Sequence, residues 1–282
     1  MTAVSTRPWR LVKPSALPGF LPAFGFTLIY LSFFVLLPLA ALTLRPWESG
    51  LEHVRNVITA PRTVAALQLS FGAAFMAACI NTVFGTIVAW VLVRYDFPGR
   101  RVLDAFVDLP FALPTAVAGI SLAAIYAPNG LIGGLFAPYD VRIAFTPIGV
   151  MIALVFVGFP FVVRSVQPVL ADLEVEVEEA AATLGAGRLR TVAHVVAPAI
   201  LPALLAGFSL AFARAVGEYG SVIFVAGNVP FVSEIAPLLI VIRLEEFDYA
   251  GAASVGVIML LLSIVLLLVL NTVQTHIARR ER

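Results

Sequence analysis

Few residues in this chain have the type and spacing that chemistry needs. Arg164, Arg214 and Glu218 lie inside strongly apolar sequence, and Asp104 and Asp108 open another apolar stretch. An ionisable group in mid-bilayer costs roughly 2.5–3.5 kcal/mol on insertion scales, so it faces a cavity or a partner. Arg214 and Glu218 are four apart on one helical face and can pair with each other. Beside the bend expected at Glu218-Tyr219-Gly220, Arg214 can instead line a path for an anion. Arg164 can pair with Asp108 or face the same path, and the sequence leaves both readings open. Asp104 and Asp108 suit the electrostatics of a helix start better than acid–base catalysis.

Other constellations are missing. His53, His194 and His276 are scattered without ligand spacing, so no metal site is expected. Cys79, the one cysteine, reads as a small apolar filler. A phosphate-binding loop needs a lysine after its glycines, and the one lysine, Lys13, has no such context. Gly185-Ala186-Gly187 follows no strand and carries no nucleotide signal. The basic residues form no patch interleaved with aromatics, so nucleic acid is not an expected partner. The chain is expected to be neither an enzyme nor its own nucleotide-driven motor, and to hold no cofactor.

The elements around these residues are membrane spans. Hydrophobic residues make up 61% of 282 and charged ones 12%, with a mean hydropathy of +1.00. The charges cluster, leaving charge-free runs at 14–44, 63–93, 109–139, 143–163, 191–213 and 249–278. A helix crossing ~30 Å of hydrocarbon needs about 20 apolar residues, so each run holds one span. The expected fold is all-α, a polytopic membrane protein of six transmembrane helices. Arg7, Arg10, Lys13, Arg94, Arg100, Arg101, Arg188, Arg190, Arg279, Arg280 and Arg282 fall in segments on one side, which the positive-inside rule makes cytoplasmic, with both termini. The expected organisation is a cytoplasmic tail at 1–18, a first span and external segment at 19–62, a main domain at 63–273, and a cytoplasmic tail at 274–282. The external segment around Trp47–Arg55 is expected to be partly helical. The apolar piece Ile235–Ile242 is too short to cross and reads as re-entrant or interfacial.

Two polar or proline-bearing segments interrupt this pattern. In the third span, Pro110 and Pro114 sit in LPFALPTAVAGI, where they free carbonyls and bend a helix; a kinked, pore-facing helix is expected. Between spans four and five, 172–198 contains EAAATLGAGRLRTVAHVVAP. An acidic helix should end at Gly185, which permits a tight turn, and a short helix should begin near Arg188. Ala180 and Ala181 are small enough for close helix approach, and Glu179 offers a charge to a partner. Pro198 should close the loop and start the fifth span.

This segment resembles the cytoplasmic EAA loop of ABC importer permeases. Glu179, Ala180, Ala181, Gly185 and Pro198 match its pattern, with Ala197 where leucine is common. The resemblance extends through RYDFPGR, DLPFALPTAVAGI, PFVVRSVQPVL, GEYGSVIFVAGN and RLEEFDY to the sulfate/thiosulfate branch of that family, over about residues 15–275. It implies a type-1 permease fold and a loop that docks on a separate ATPase. It also implies a CysW-like second permease subunit, two CysA-like ATPase subunits that carry ATP and Mg2+, a periplasmic sulfate- or thiosulfate-binding protein, and the bacterial inner membrane. The alternatives are a molybdate/tungstate permease, told apart by its binding protein and by pairing with itself, and an ion-coupled secondary anion carrier, which needs no EAA loop.

Overall fold

The computed structural model describes residues 20–280. The tail expected at 1–18 lies outside the described residues. All described elements are helical, and they divide into two units, one ending at Leu44 and the other starting at Arg45.

In the first unit, α1 (Phe20–Leu31) passes through a π turn at Ser32–Leu36 into α2 (Leu37–Leu44). None of these residues is buried within the chain. The π turn has a cause in sequence. The Leu37 amide donates to the Ser32 carbonyl five residues back, and Pro38, which cannot donate, follows at once. Widening the turn relieves the clash a proline ring makes with the preceding turn.

The second unit opens with a 3-10 turn at Arg45–Ser49 and the amphipathic α3 (Gly50–Thr59), so the partly helical segment expected there is present. Next comes α4 (Pro61–Arg94), with proline at its first position, where a missing N–H costs nothing. The third apolar run departs from the kinked helix expected of it. Together with the charged segment that leads into it, it is three pieces, α5 (Arg100–Val107), α6 (Leu109–Ala112) and α7 (Thr115–Tyr126). Pro110 is tolerated in the first turn of α6, whereas Pro114 ends it. A residue before proline is pushed out of the helical region, and both Leu113 (ψ 134°) and Pro114 (ψ 133°) are extended. A short α8 (Gly133–Phe136) precedes α9 (Pro147–Asp172), which Thr146 caps by accepting from the Ile148 amide at 3.2 Å.

After α9 come α10 (Val175–Thr183), α11 (Arg188–Thr191), a π turn at Val192–Val196, and α12 (Ala197–Val216). The last three form one continuous helix, which corrects the expectation for Pro198. The fifth span begins at Arg188, and Pro198 lies inside it. The π turn explains this: the Ala197 amide donates to the Val192 carbonyl just before the proline, repeating the device at Pro38. A short α13 (Val222–Val225), then α14 (Ala236–Glu245) and α15 (Tyr249–Arg280) complete the unit. The short apolar piece expected at Ile235–Ile242 is α14, packed on α15 and α4. The expected tail at 274–282 is helical through Arg280, as a continuation of α15.

Among the described residues, five helical stretches are long and apolar enough to cross a membrane, starting at Phe20, Pro61, Pro147, Arg188 and Tyr249. The sixth crossing is the segmented third run. The core is the seam of α4, α9 and α12. Its residues are small, with Ala74, Ala77, Ala78, Ala89, Ala153 and Ala211 all buried. Lipid offers helices no hydrophobic drive to associate, so close approach through small side chains supplies the packing instead. Contacts of Asn81 with Gly158 and of Gly85 with Val162 run in step, so α4 and α9 point the same way, while α12 returns.

Candidate functional site

The segment 172–198 lies at the end of the bundle where α4 and α9 stop. Its helix α10 buries none of its residues. Glu179 and Ala180 are exposed and Ala181 is half-buried, so all three are open to a partner. Gly185 has φ of +83° and ends the helix. The Ala186 amide donates back to the Ala181 carbonyl at 3.0 Å, closing the turn that a left-handed residue allows. Leu184 and Leu189 flank this turn at 89% and 88% exposure, and Arg188 and Arg190 are exposed beside them.

One residue of this surface turns inward. The Arg94 guanidinium, at the last position of α4, donates through one nitrogen to Glu178 Oε1 at 2.6 Å and to the Leu173 carbonyl at 3.1 Å. It also lies over the Trp90 ring at 5.8 Å. Sequence reasoning missed this link. Glu178 is one of four acidic residues between 174 and 179, and nothing local distinguishes it from Glu179.

The in-membrane charges have partners. Arg214 pairs with Glu218 Oε2 at 2.6 Å, and Glu218 Oε1 accepts from the Ser221 amide and hydroxyl, each at 2.8 Å. Glu218 is thereby saturated and buried, while about a third of the Arg214 side chain stays exposed. Arg164 grips Asp108 with two nitrogens, at 2.8 and 2.6 Å, and reaches Asp104 at 2.7 Å and Gln167 at 2.6 Å. This corrects the helix-start reading for Asp104, the fifth residue of α5; Asp108 does stand at the start of α6, but its side chain makes no capping bond there, and both carboxylates hold Arg164.

Two helix breaks meet deeper in the bundle. A Cβ on Gly119 would collide with the Ser221 carbonyl, and one on Gly220 with the Thr115 hydroxyl. The start of α7, just past Pro114, therefore packs on the irregular segment between α12 and α13. Irregular backbone at membrane depth is tolerated where protein or a polar path satisfies it. The structure thus brings Pro114 to the Glu218–Gly220 bend, while Arg164 and Pro110 belong to the α5–α6–α9 junction. Among the described residues no group of histidine, cysteine or carboxylate side chains could hold a metal ion.

Residues 81–282 match the family described as the binding-protein-dependent transport system inner membrane component. The chain belongs to this family. It is a permease subunit of an ABC importer, a transport component and not an enzyme, and a multi-pass membrane protein. The Salmonella typhimurium sulfate transport system permease protein CysT is 45% identical, covering 99% of both chains. The CysT protein of Synechococcus elongatus is 51% identical over 90% of this chain and 91% of its own. The probable cysT protein of Nephroselmis olivacea is 50% identical over 89% of each. A crystal structure of a bacterial ABC transporter involved in alginate import superposes with a TM-score of 0.76 at 14% identity, over 92% of this chain and 96% of that one. A bacterial alginate ABC transporter in complex with an alginate pentasaccharide-bound periplasmic protein gives 0.74 at 15% identity, over 93% of this chain and 94% of that one. At these identities the structures show the shared fold, that of type-1 ABC permeases.

Proposed function

We propose that this permease carries sulfate or thiosulfate inward across the bacterial inner membrane, with both termini cytoplasmic. It does so in a complex with a CysW-like permease subunit, two CysA-like ATPase subunits holding ATP and Mg2+, and a periplasmic binding protein. The observation that carries this reading is the likeness to CysT proteins along the whole chain, 45% identity over 99% of both sequences. The exposed turn supports the coupling part. Glu179, Ala180, Ala181, Gly185 and Arg188 form the face offered to the ATPase, with Leu184 and Leu189 beside them. Pro198 acts one step removed, because its π turn sets how that face continues into the fifth span.

The charges within the membrane suit a path that does not hold its cargo. Glu218 is engaged by protein groups; Arg214 and Arg164 are paired too, yet about a third of each side chain stays exposed, and it is Arg214 that lies near the Pro114 and Glu218 breaks, as a cation available to a passing anion. A site that grips an ion tightly cannot release it, so affinity belongs to the external binding protein. An inward-moving dianion opposes an inside-negative potential by about 4.6 kcal/mol per 100 mV, twice the single-charge value, which calls for coupling to ATP.

The test is labelled sulfate uptake in cells lacking their own importer, supplied with this chain and its three partners, with and without Glu179→Arg. Uptake that requires this chain and falls to background with Glu179→Arg, at normal complex levels, supports cargo and coupling together. Uptake unchanged by the substitution removes Glu179 from the coupling face. Molybdate uptake without sulfate uptake overturns the choice of cargo.

A further inference from the structure

The ATPase-facing helix α10 is joined by chain to α9 and to the helix beginning at Arg188. By chain alone, movement of α10 reaches α9 and α12. Yet α4 packs against both and forms the third wall of the core seam. Its link to α10 is the Arg94 guanidinium. One nitrogen of that group joins three elements: the end of α4, which bears it; the Leu173 carbonyl, where α9 has just ended; and Glu178 on α10.

Three features suit this group to transmit movement. First, α10 buries no residue, so little apolar packing fixes its position, and a charge-assisted bond counts for more than it would in a packed core. Second, the group is sheltered, with side-chain exposures of 14% for Arg94 and 23% for Glu178, so water and salt screen the pair weakly. Third, it is not saturated. Arg94 Nε is buried and has no hydrogen-bond partner among the described residues, so the guanidinium can change acceptors as α10 moves without losing its hold. Trp90, beneath the guanidinium, lines an apolar groove of about 450 Å³ between α4 and Val192–Leu204.

We infer that Arg94 and Glu178 are positioning residues for transport, and that their ion pair makes α4 follow the ATPase-driven movement of α10. The inference rests on the coupling role proposed for 172–198. It differs from that role in assigning a pair that faces away from the ATPase.

The experiment uses the assembled complex in proteoliposomes with binding protein and sulfate, and reads anion uptake and ATP hydrolysis together. Wild type is run first with sulfate, thiosulfate and molybdate; the anion it carries is used afterwards, so an error in cargo is seen separately. With Arg94→Gln or Glu178→Gln, ATP hydrolysis should stay within about twofold while uptake per ATP falls about tenfold, a coupling loss of ordinary size. The double charge swap Arg94→Glu with Glu178→Arg should restore most of that ratio. If Arg94→Gln fails to assemble, Glu178→Gln carries the test alone, and Arg94→Lys, whose ammonium can still donate to Glu178, should keep most of the ratio. An unchanged ratio, whether both activities fall together or neither does, overturns the inference. So does a swap no better than the single variants.

Discussion

Two arginine–glutamate pairs in this chain have the same length, 2.6 Å, and opposite architectures. Arg214, in the last turn of α12, reaches Glu218 two residues beyond the helix end, and Ser221 fills the other glutamate oxygen. Arg94 and Glu178 are 84 residues apart on separate elements and retain an unused donor. A pair four residues apart is held together by its own short stretch of chain and reports little about distant elements. A pair between elements changes when either moves. The same contrast separates whole regions: charges within the membrane face each other, while those at the 172–198 surface, Glu178 apart, face outward.

The sharpest way to break this contrast is Glu218→Ala. It strands two buried Ser221 donors and leaves the part-exposed Arg214 unpaired; at about 1–3 kcal/mol for each stranded donor, the loss should reach about 3 kcal/mol. Unfolding of the purified complex in detergent should show the loss; a change below about 1 kcal/mol would mean that Glu218 is not structural. Arg164→Leu should cost less, about 2 kcal/mol, because Asp104 and Asp108 are 42% and 50% exposed and can take water instead. The same unfolding measurement checks it, and a loss equal to that of Glu218→Ala would erase the distinction. Smallest for stability are Leu184→Ser and Leu189→Ser, expected within about 0.5 kcal/mol of wild type. These should instead abolish co-purification of the ATPase, and retention of the ATPase by both variants would remove these leucines from the interface.

The sequence carried the spans well because hydropathy reports burial in lipid directly. Charge-free runs located the four long helices of the second unit and the first span, and Gly185 marked its turn because only a left-handed residue ends α10 there. Pro114 announced an interruption but not its extent. Proline sets its own φ and its neighbour's preference, whereas tolerance of a full break depends on Gly220 and Ser221 packing against Thr115 and Gly119. Pro198 misled for the converse reason: proline suits a helix start, and nothing nearby shows that a π turn can carry the helix through it. Long-range pairs were the least legible. Arg62 and Glu234 form a two-pronged bond, 2.8 and 2.7 Å, across 172 residues, and neither stands out in its own neighbourhood. Asn81 is buried with neither amide atom hydrogen-bonded among the described residues, and its helix reads as plain apolar sequence.

The segmented third run also sets an order of events during synthesis. Its pieces, of 8, 4 and 12 residues, are each shorter than the ~20 that a lone crossing requires. Arg164, which neutralises Asp108, emerges 56 residues later, and the Ser221 backbone that packs on Gly119 later still. This run therefore enters the bilayer as an unfinished element. The contacts that complete it come from α9 and from the turn after α12, both later in the chain.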